Sequence, residues 1–352
     1  MKNVWALTDG KKNYSINEKI WIGEDLDILN IKSPFDKNFL FYTDHDYQGL
    51  WKYNPQLPIF EKKNIISFGE GFTPIVNENW FGKTVELKLE FLFPTGSYKD
   101  RGATVLLSKI KELGIKKIIE DSSGNAGCAI AAYAAKGGIL AEIYVSSNAS
   151  PAKIKQMRGY GAKVIEINGT REDVATAALE ASKNEYYASH SYNPFFFEGT
   201  KTFAYEIWEQ CKNLPDEIIF PVGNGTLIIG AYIGFSELKA AGLIEKIPAL
   251  SIAQARNCPA LIEGAEIIFQ PTVAEGIAVK NPIRKTWIQQ IRHLTGGSYY
   301  PVNDDDILKE HHRLFSTGYF VELTSAVATA AIPKSLHVNI MVPLTGHGLK
   351  NS

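Results

Sequence analysis

The sequence is short of cysteine and has no excess of either charge. Among 352 residues there are three cysteines, Cys128, Cys211 and Cys258, and no Cys-x-x-Cys pair. An odd number of widely spaced cysteines argues against a disulfide framework, and the absence of a Cys/His cluster argues against a zinc site. Lysine and arginine total 37 against 38 aspartate and glutamate. This balance excludes the basic footprint of a nucleic-acid-binding protein.

Long apolar runs are also absent. No segment reaches the roughly 20 residues that a membrane-spanning helix requires. The first residues, Met1–Ala6, continue into polar sequence rather than into the apolar core of a signal peptide. We therefore expect a cytoplasmic protein without a membrane partner. The hydrophobic content of 45% is ample for a core, and the length favours two domains.

From Ile115 onward, short β-branched runs alternate with helical segments. The predicted strands are 117–121, 140–145, 163–167, 217–222, 249–253 and 337–343. The predicted helices are 125–136, 151–160, 171–184, 198–212, 227–241, 304–316 and 325–332. Such alternation predicts an α/β protein with parallel sheets covered on both faces. The expected division is an N-terminal arm or small subdomain (1–60), a small α/β domain (91–195) and a large α/β domain (61–90 plus 196–352).

The segment Phe93–Gly102 carries the first candidate functional residue. It places Lys99 directly after a Pro-Thr-Gly-Ser turn, at the predicted start of a helix that runs to about Leu113. The positive end of a helix and the nearby Arg101 disfavour an ammonium group. A neutral amine is what a Schiff base with an aldehyde cofactor requires. The alternative is a solvated lysine at the start of an ordinary helix.

A second motif joins a predicted strand to a predicted helix. It contains Ser122, Ser123 and Asn125 around Gly124. Small residues let backbone N–H groups approach an anion, and the Asn125 amide can hold a ring oxygen in plane. The alternative is a routine helix cap, which serine and asparagine often make.

A third motif has the same strand-to-helix position. It consists of Gly223, Asn224, Gly225 and Thr226. Glycine and asparagine tolerate positive φ, and the N-terminus of the following helix can bind a phosphate. The alternative is a glycine-rich tight turn without a ligand.

The fourth motif, Thr345–Lys350, follows the last predicted strand. The Thr345 hydroxyl can donate to or accept from a heterocyclic nitrogen. A hydroxyl in place of a carboxylate leaves a pyridine ring largely unprotonated and tempers its action as an electron sink. The alternative is a frayed tail.

Together, the four motifs resemble those of the fold-type II pyridoxal-phosphate-dependent enzymes, which include tryptophan synthase β, and within them the threonine synthases. The resemblance runs from Gly69–Pro74 through Lys350. It implies two parallel-sheet α/β domains with pyridoxal 5'-phosphate in the cleft between them. The residue roles that it implies are Lys99 as Schiff-base lysine and catalyst, Asn125 on the ring 3-hydroxyl, Gly223, Asn224, Gly225 and Thr226 on the phosphate, Thr345 at the pyridine nitrogen, and Ser97, Ser122, Ser123 and Asn193 on the substrate.

The resemblance also implies a reaction. It is the conversion of O-phospho-L-homoserine and water to L-threonine and phosphate through an aldimine of the cofactor, by a homodimer that needs no metal. Many family members carry an arginine shortly after the position of Asn193, where this chain has Phe195, Phe196 and Phe197. A phosphorylated substrate favours bidentate cationic partners. The alternative is therefore β-elimination or β-replacement on serine, O-phosphoserine, threonine or diaminopropionate. A catalytically idle binding protein is a third possibility, disfavoured by the intact Lys99, Asn125 and Thr345.

Overall fold

The computed structural model describes residues 5–35, 40–264 and 267–351, which fall into two compact units. Unit 1 comprises Met1–Gly71, Lys99–Thr202 and Ala240–Leu243, and unit 2 comprises Phe72–Tyr98, Phe203–Lys239 and Ile244–Ser352. The chain thus changes unit after Gly71, Tyr98 and Thr202, and again on either side of Ala240–Leu243, whereas the predicted domain boundaries lie after residues 60, 90 and 195. The change after Tyr98 falls inside the Lys99 motif, where no linker-like composition marks it.

The elements are numbered in chain order. The strands of the described residues are β1 (Ala6–Thr8), β2 (Asn13–Ser15), β3 (Asn30–Lys32), β4 (Ile75–Trp80), β5 (Lys83–Lys88), β6 (Lys117–Glu120), β7 (Leu140–Ser146), β8 (Lys163–Ile167), β9 (Tyr186–Tyr187), β10 (Glu217–Pro221), β11 (Ala249–Ala255), β12 (Tyr299–Val302) and β13 (Asn339–Pro343). The α-helices are α1 (Lys99–Glu112), α2 (Asn125–Gly137), α3 (Pro151–Gly159), α4 (Arg171–Ala181), α5 (Pro194–Thr200), α6 (Thr202–Gln210), α7 (Thr226–Ala240), α8 (Lys285–Thr295), α9 (Asp304–Ser316) and α10 (Leu323–Thr329).

Unit 1 is built on a parallel sheet with the strand order β8-β7-β6-β9. Helix α1 packs against α2 and α5, and α2 packs against β7. Buried aliphatic side chains such as Leu106, Ile130 and Ile143 form the core between these layers. Because successive strands are parallel, the loops that follow β6 and β9 leave the same edge of the sheet.

The N-terminal residues of unit 1 form a separate antiparallel sheet with the order β2-β1-β3. Trp5 packs edge-on against Phe35, and Trp21 packs edge-on against Tyr187 with ring centroids 4.9 Å apart. The indole N–H of Trp51 donates to the Glu70 carboxylate at 3.0 Å. These tryptophans therefore anchor the N-terminal segment to the rest of unit 1.

Unit 2 contains a six-stranded sheet with the order β12-β11-β10-β13-β5-β4. All neighbouring strands are parallel except β4, which is antiparallel to β5 at the edge. The all-parallel expectation is wrong for this edge, because Phe81 and Gly82 connect β4 to β5. Their φ values of 55° and 73° suit the tight turn of a hairpin.

Most predicted elements lie within a few residues of the observed ones. The predicted helix 198–212 is instead two helices, α5 and α6, and α5 begins earlier than expected, at Pro194. Asn193 caps α5 and Pro194 occupies its first turn, both of which are strong helix-start signals. Helix α8 and strands β1–β5, β9 and β12 have no counterpart among the predicted elements. No helix within the described residues is both long and apolar enough to cross a membrane.

Candidate active site

Lys99 is the first residue of α1 in unit 1. Its Nζ lies 5.7 Å from the ring centroid of Phe196, on the face of the ring. A Cβ atom at Gly102 would come within 2.3 Å of this ring, so only glycine at residue 102 allows Phe196 to lie against α1. The Lys99 amine therefore stands beside a fixed aromatic surface.

The loop after β6 brings Ser122, Ser123 and Asn125 together in unit 1. Asn125 is the first residue of α2, and the N-cap residue is Gly124. The predicted alternative, a serine or asparagine side-chain cap, is therefore not the arrangement found. A Cβ at Gly127 would lie 2.0 Å from the carbonyl oxygen of Ser122, so this glycine lets the loop fold onto the helix.

Asn193, a predicted substrate-binding residue, is fully buried in unit 1. Its side-chain oxygen accepts a hydrogen bond from the Phe195 N–H at 3.2 Å, and its amide nitrogen donates to the Tyr186 hydroxyl at 2.9 Å. These two bonds fix the start of α5, the helix that carries Phe196.

A buried acid–base pair in unit 1 was not identified from the sequence. The Glu120 carboxyl group meets the Nδ1 atom of His190 at 2.7 Å and accepts from its backbone N–H at 3.2 Å. Burial raises the pKa of Glu120 well above its usual value, and the neighbouring Asp121 adds to the rise. Burial, Lys99 and Arg171 all lower the pKa of His190. Burial thus disfavours both the Glu120 carboxylate and the His190 imidazolium. The pair therefore favours one proton shared between the carboxyl group and Nδ1.

In unit 2, residues 223–226 connect β10 to α7, with Thr226 as the first helical residue. Gly225 has a φ of +73°, and a Cβ there would lie 2.4 Å from the Ile288 side chain. A Cβ at Gly223 would lie 3.0 Å from the Cα of Ile277. The loop is therefore tight, and it ends at the N-terminus of a helix, where backbone N–H groups point outward. The Thr226 hydroxyl is hydrogen-bonded to the Tyr98 hydroxyl at 2.9 Å.

Thr345 lies in a buried loop of unit 2 after β13. The backbones of Ser97 and Gly346 form an antiparallel bridge, and the Tyr98 N–H donates to the Thr345 carbonyl at 3.2 Å. The Thr345 hydroxyl lies 3.3 Å from the hydroxyl of Ser325 on α10. The alternative of a frayed tail is therefore wrong, because Thr345 is held on both sides.

Taken unit by unit, the chemistry of these residues suits an aromatic cofactor that carries a phosphate. The Ser97 Oγ is buried and has no hydrogen-bond partner among the described residues, so it is available to a ligand. Glycine at residues 223 and 225 allows the tight loop that leads into the N-terminus of α7, where a phosphate would accept N–H bonds. Lys99 supplies the amine that an aldehyde needs. No cluster of three or more His, Cys, Asp or Glu residues in the described part of the chain could hold a metal ion.

Comparison with known families agrees with this chemistry. The family described as "Pyridoxal-phosphate dependent enzyme" matches residues 66–344. The chain belongs to this family. Pyridoxal 5'-phosphate is therefore its cofactor, and its substrate is a small amino acid.

Curated relatives indicate the enzyme class within this family. A threonine synthase from Methanocaldococcus jannaschii is 32% identical over 97% of this chain and 91% of its own length. A threonine synthase from Synechocystis is 34% identical over 85% of this chain and 82% of its own length. The chain is a pyridoxal-phosphate-dependent lyase, as these relatives and the family indicate.

Solved structures support the fold alone, because their sequences are distant. Maize serine racemase aligns with a TM-score of 0.69 at 22% identity, over 79% of this chain and 88% of its own. The serine racemase of Dictyostelium discoideum aligns with a TM-score of 0.67 at 24% identity, over 78% of this chain and 92% of its own.

Sequence reasoning missed Glu120, His190, Ser325 and Arg284. The last is a buried guanidinium directly before α8, and burial lowers its pKa to about 9. Helix α8 also carries the Ile288 side chain that packs on Gly225. For these residues the sequence offered one signal, the histidine in Ser189-His190-Ser191. A histidine alone does not indicate a site unless its partner, here Glu120, is known.

Proposed function

We propose that this chain is a threonine synthase, which converts O-phospho-L-homoserine and water to L-threonine and phosphate. The observation that carries the proposal is the buried Thr345 hydroxyl, which the Ser97–Gly346 bridge and Ser325 hold in a defined place. A hydroxyl there suits an unprotonated pyridine ring. Three curated relatives that match most of the chain, each named threonine synthase, support the same reaction.

The proposed binding roles follow from the residues present. The bound cofactor would supply an electron sink for negative charge developing on the substrate carbons. Lys99 would hold its aldehyde, Asn125 would orient its ring through the 3-hydroxyl, and Thr345 would meet its ring nitrogen. The loop Gly223–Thr226, which includes Asn224, would bind its phosphate at the N-terminus of α7.

Substrate binding and proton transfer would rest on further residues of the chain. The hydroxyls of Ser97, Ser122 and Ser123 would donate to the substrate carboxylate, and Asn193 would fix the start of α5. The Lys99 amine would take one proton from Cα and one from Cβ, and it would return one to Cγ and one to Cα. Phosphate would leave from Cγ, the hydroxyl of water would add at Cβ, and the remaining proton of the water would leave with the phosphate. One residue would thus act both as covalent anchor and as acid–base catalyst.

Phe196 supports the alternative function, β-elimination or β-replacement on serine, O-phosphoserine, threonine or diaminopropionate. Its ring lies beside Lys99, and it belongs to the stretch in which many family members carry an arginine. A phosphate group gains most from bidentate cationic partners, whereas a hydroxyl leaving group does not need them. The unphosphorylated substrates of this set, serine, threonine and diaminopropionate, would suit this aromatic surface.

A substrate panel distinguishes the two functions. The enzyme is incubated separately with O-phospho-L-homoserine, O-phospho-L-serine, L-serine, L-threonine and 2,3-diaminopropionate, and products are identified by NMR. Threonine and phosphate from the first substrate, with little 2-oxo acid from the others, is the expected result. Pyruvate or 2-oxobutyrate as the main product would establish the alternative.

We also propose a cytoplasmic homodimer, which the family resemblance favours. Sedimentation of the purified protein tests the dimer, and fractionation of the source cells tests the location.

A further inference from the structure

Ser325 lies on α10, fully buried, and turns its hydroxyl toward the Thr345 loop within unit 2. Its Oγ accepts a hydrogen bond from the Thr345 N–H at 2.9 Å and a longer one from the Gly346 N–H at 3.4 Å. The same Oγ lies 3.3 Å from the Oγ1 of Thr345. One serine therefore contacts the backbone and the side chain of this loop.

The number of acceptor sites fixes the direction of the hydroxyl–hydroxyl bond. A hydroxyl oxygen has two lone pairs and one proton. The two backbone N–H groups occupy both acceptor sites of Ser325, so its proton is left to donate to Thr345 Oγ1. Ser325 makes no other side-chain hydrogen bond to the residues that the structure describes. Thr345 is therefore the acceptor in this pair.

It follows that the Thr345 proton points elsewhere. The bond to Ser325 is the one hydrogen bond of the Thr345 hydroxyl within the described residues. A buried O–H donor without an acceptor costs free energy, so a ligand acceptor would be favoured there. A protonated pyridine could only donate to Thr345, and it would leave the Thr345 proton without an acceptor. An unprotonated ring nitrogen accepts this proton and satisfies it.

We propose that Ser325 is a positioning residue that holds the Thr345 hydroxyl as a hydrogen-bond donor and thereby keeps the cofactor ring nitrogen unprotonated. This inference rests on the proposed role of Thr345 at that nitrogen. An unprotonated ring withdraws electrons less strongly, which restrains side reactions such as transamination. Ser325 thus controls the chemistry of the cofactor without touching it.

The test measures the ring nitrogen directly. The purified protein is reconstituted with pyridoxal 5'-phosphate that carries 15N in the ring, and the 15N chemical shift is recorded for wild type, Ser325→Ala and Thr345→Val. Thr329→Val is the matched control, because it also removes a buried hydroxyl from α10, one whose hydrogen bond among the described residues goes to the Ala326 carbonyl. Wild type and Thr329→Val should show the shift of an unprotonated, hydrogen-bonded pyridine. Ser325→Ala should move toward the Thr345→Val value and bind the cofactor about fivefold more weakly, as for one lost hydrogen bond.

The outcomes separate this inference from the proposed function. If the 15N chemical shift changes in Thr345→Val but not in Ser325→Ala, the role of Ser325 is overturned and Thr345 remains at the ring. No shift in either variant overturns the placement of Thr345 itself. If wild type itself shows the 15N chemical shift of a protonated pyridine, the assignment of the Thr345 hydroxyl as donor is overturned. If Ser325→Ala does not fold, Ser325→Cys, which keeps a weak donor of similar shape, takes its place. Its 15N shift should then lie between those of wild type and Thr345→Val, and a wild-type value overturns the proposal.

Discussion

Ser97 and Gly346 pair backbone to backbone in an antiparallel bridge, although most of the chain separates them. This bridge joins the segment that precedes Lys99 to the loop that carries Thr345. The Ser97 Oγ beside it is buried without a hydrogen-bond partner among the described residues. A native protein rarely keeps such a group without a use.

Ser97→Ala should separate stability from binding. Removing a buried hydroxyl that lacks a partner relieves a desolvation cost, so the melting temperature should stay equal or rise. If this hydroxyl serves the substrate, KM should rise about fivefold, as for one lost hydrogen bond. Calorimetry and steady-state kinetics on the same sample measure both. A lower melting temperature with an unchanged KM would show that Ser97 is structural.

Gly225→Ala and Gly225→Asp should differ in cofactor affinity more than in stability. Both variants place a Cβ at a φ of +73° and against Ile288, so both should lower the melting temperature. Only aspartate adds a charge that repels a phosphate, by about 1–4 kcal/mol at an effective dielectric near 20. Equilibrium binding of pyridoxal 5'-phosphate compares the two. Equal affinities would argue against a phosphate at this loop.

Glu120→Gln and His190→Gln should give the cofactor-free protein opposite pH dependences of stability. Burial raises the Glu120 pKa, so in the folded state its carboxyl keeps a proton that the unfolded chain releases above about 4.5. Burial lowers the His190 pKa, so the folded protein lacks a proton that the unfolded chain binds below about 6.5. Between these pH values the extra proton on Glu120 and the missing proton on His190 cancel in wild type, so the pair adds no pH dependence to the free energy of unfolding.

Each substitution removes one of the two effects. In Glu120→Gln the histidine effect remains, and the free energy of unfolding should fall as the pH decreases from about 6.5 to 4.5. In His190→Gln the carboxyl effect remains, and the free energy of unfolding should fall as the pH increases over the same range. The slopes should reach up to about 1.4 kcal/mol per pH unit. Urea unfolding at a series of pH values measures them, and parallel slopes would refute a shared proton.

Borohydride reduction of the holoprotein should attach the cofactor to Lys99. Lys88 and Lys109 are suitable internal controls, because both are buried lysines with carboxylate partners, Glu206 and Glu112. Peptide mapping locates the adduct, and Lys99→Ala should lose turnover by several orders of magnitude because it removes two catalytic roles. An adduct on Lys88 or Lys109 would make the assignment of Lys99 wrong.

Local patterns allowed much of the fold to be predicted. The loops after β6 and β10 could be located because glycine-rich turns stand between a β-branched run and a helical run, all within a few residues. The start of α1 at Lys99 follows from the same reasoning.

Long-range contacts could not be predicted in this way. The Ser97–Gly346 bridge, the Glu120–His190 pair and the contact of Ser325 with Thr345 each depend on packing between elements distant in sequence. The edge strand β4 was missed because Asn and Glu interrupt its apolar pattern. Gly102 provides the space for Phe196, a contact between residues distant in sequence that local patterns do not reveal.

The central claim is the reaction on O-phospho-L-homoserine, and its most direct test is turnover of this substrate in D2O. Conversion to threonine turns the Cγ methylene into a methyl group and puts a hydroxyl on Cβ, so one new hydrogen must reach Cγ. We predict one phosphate released per threonine formed, with solvent deuterium at Cα and in the methyl group, as measured by 31P and 1H NMR. Intact O-phospho-L-homoserine in a sample that converts serine or O-phosphoserine to pyruvate would contradict the claim.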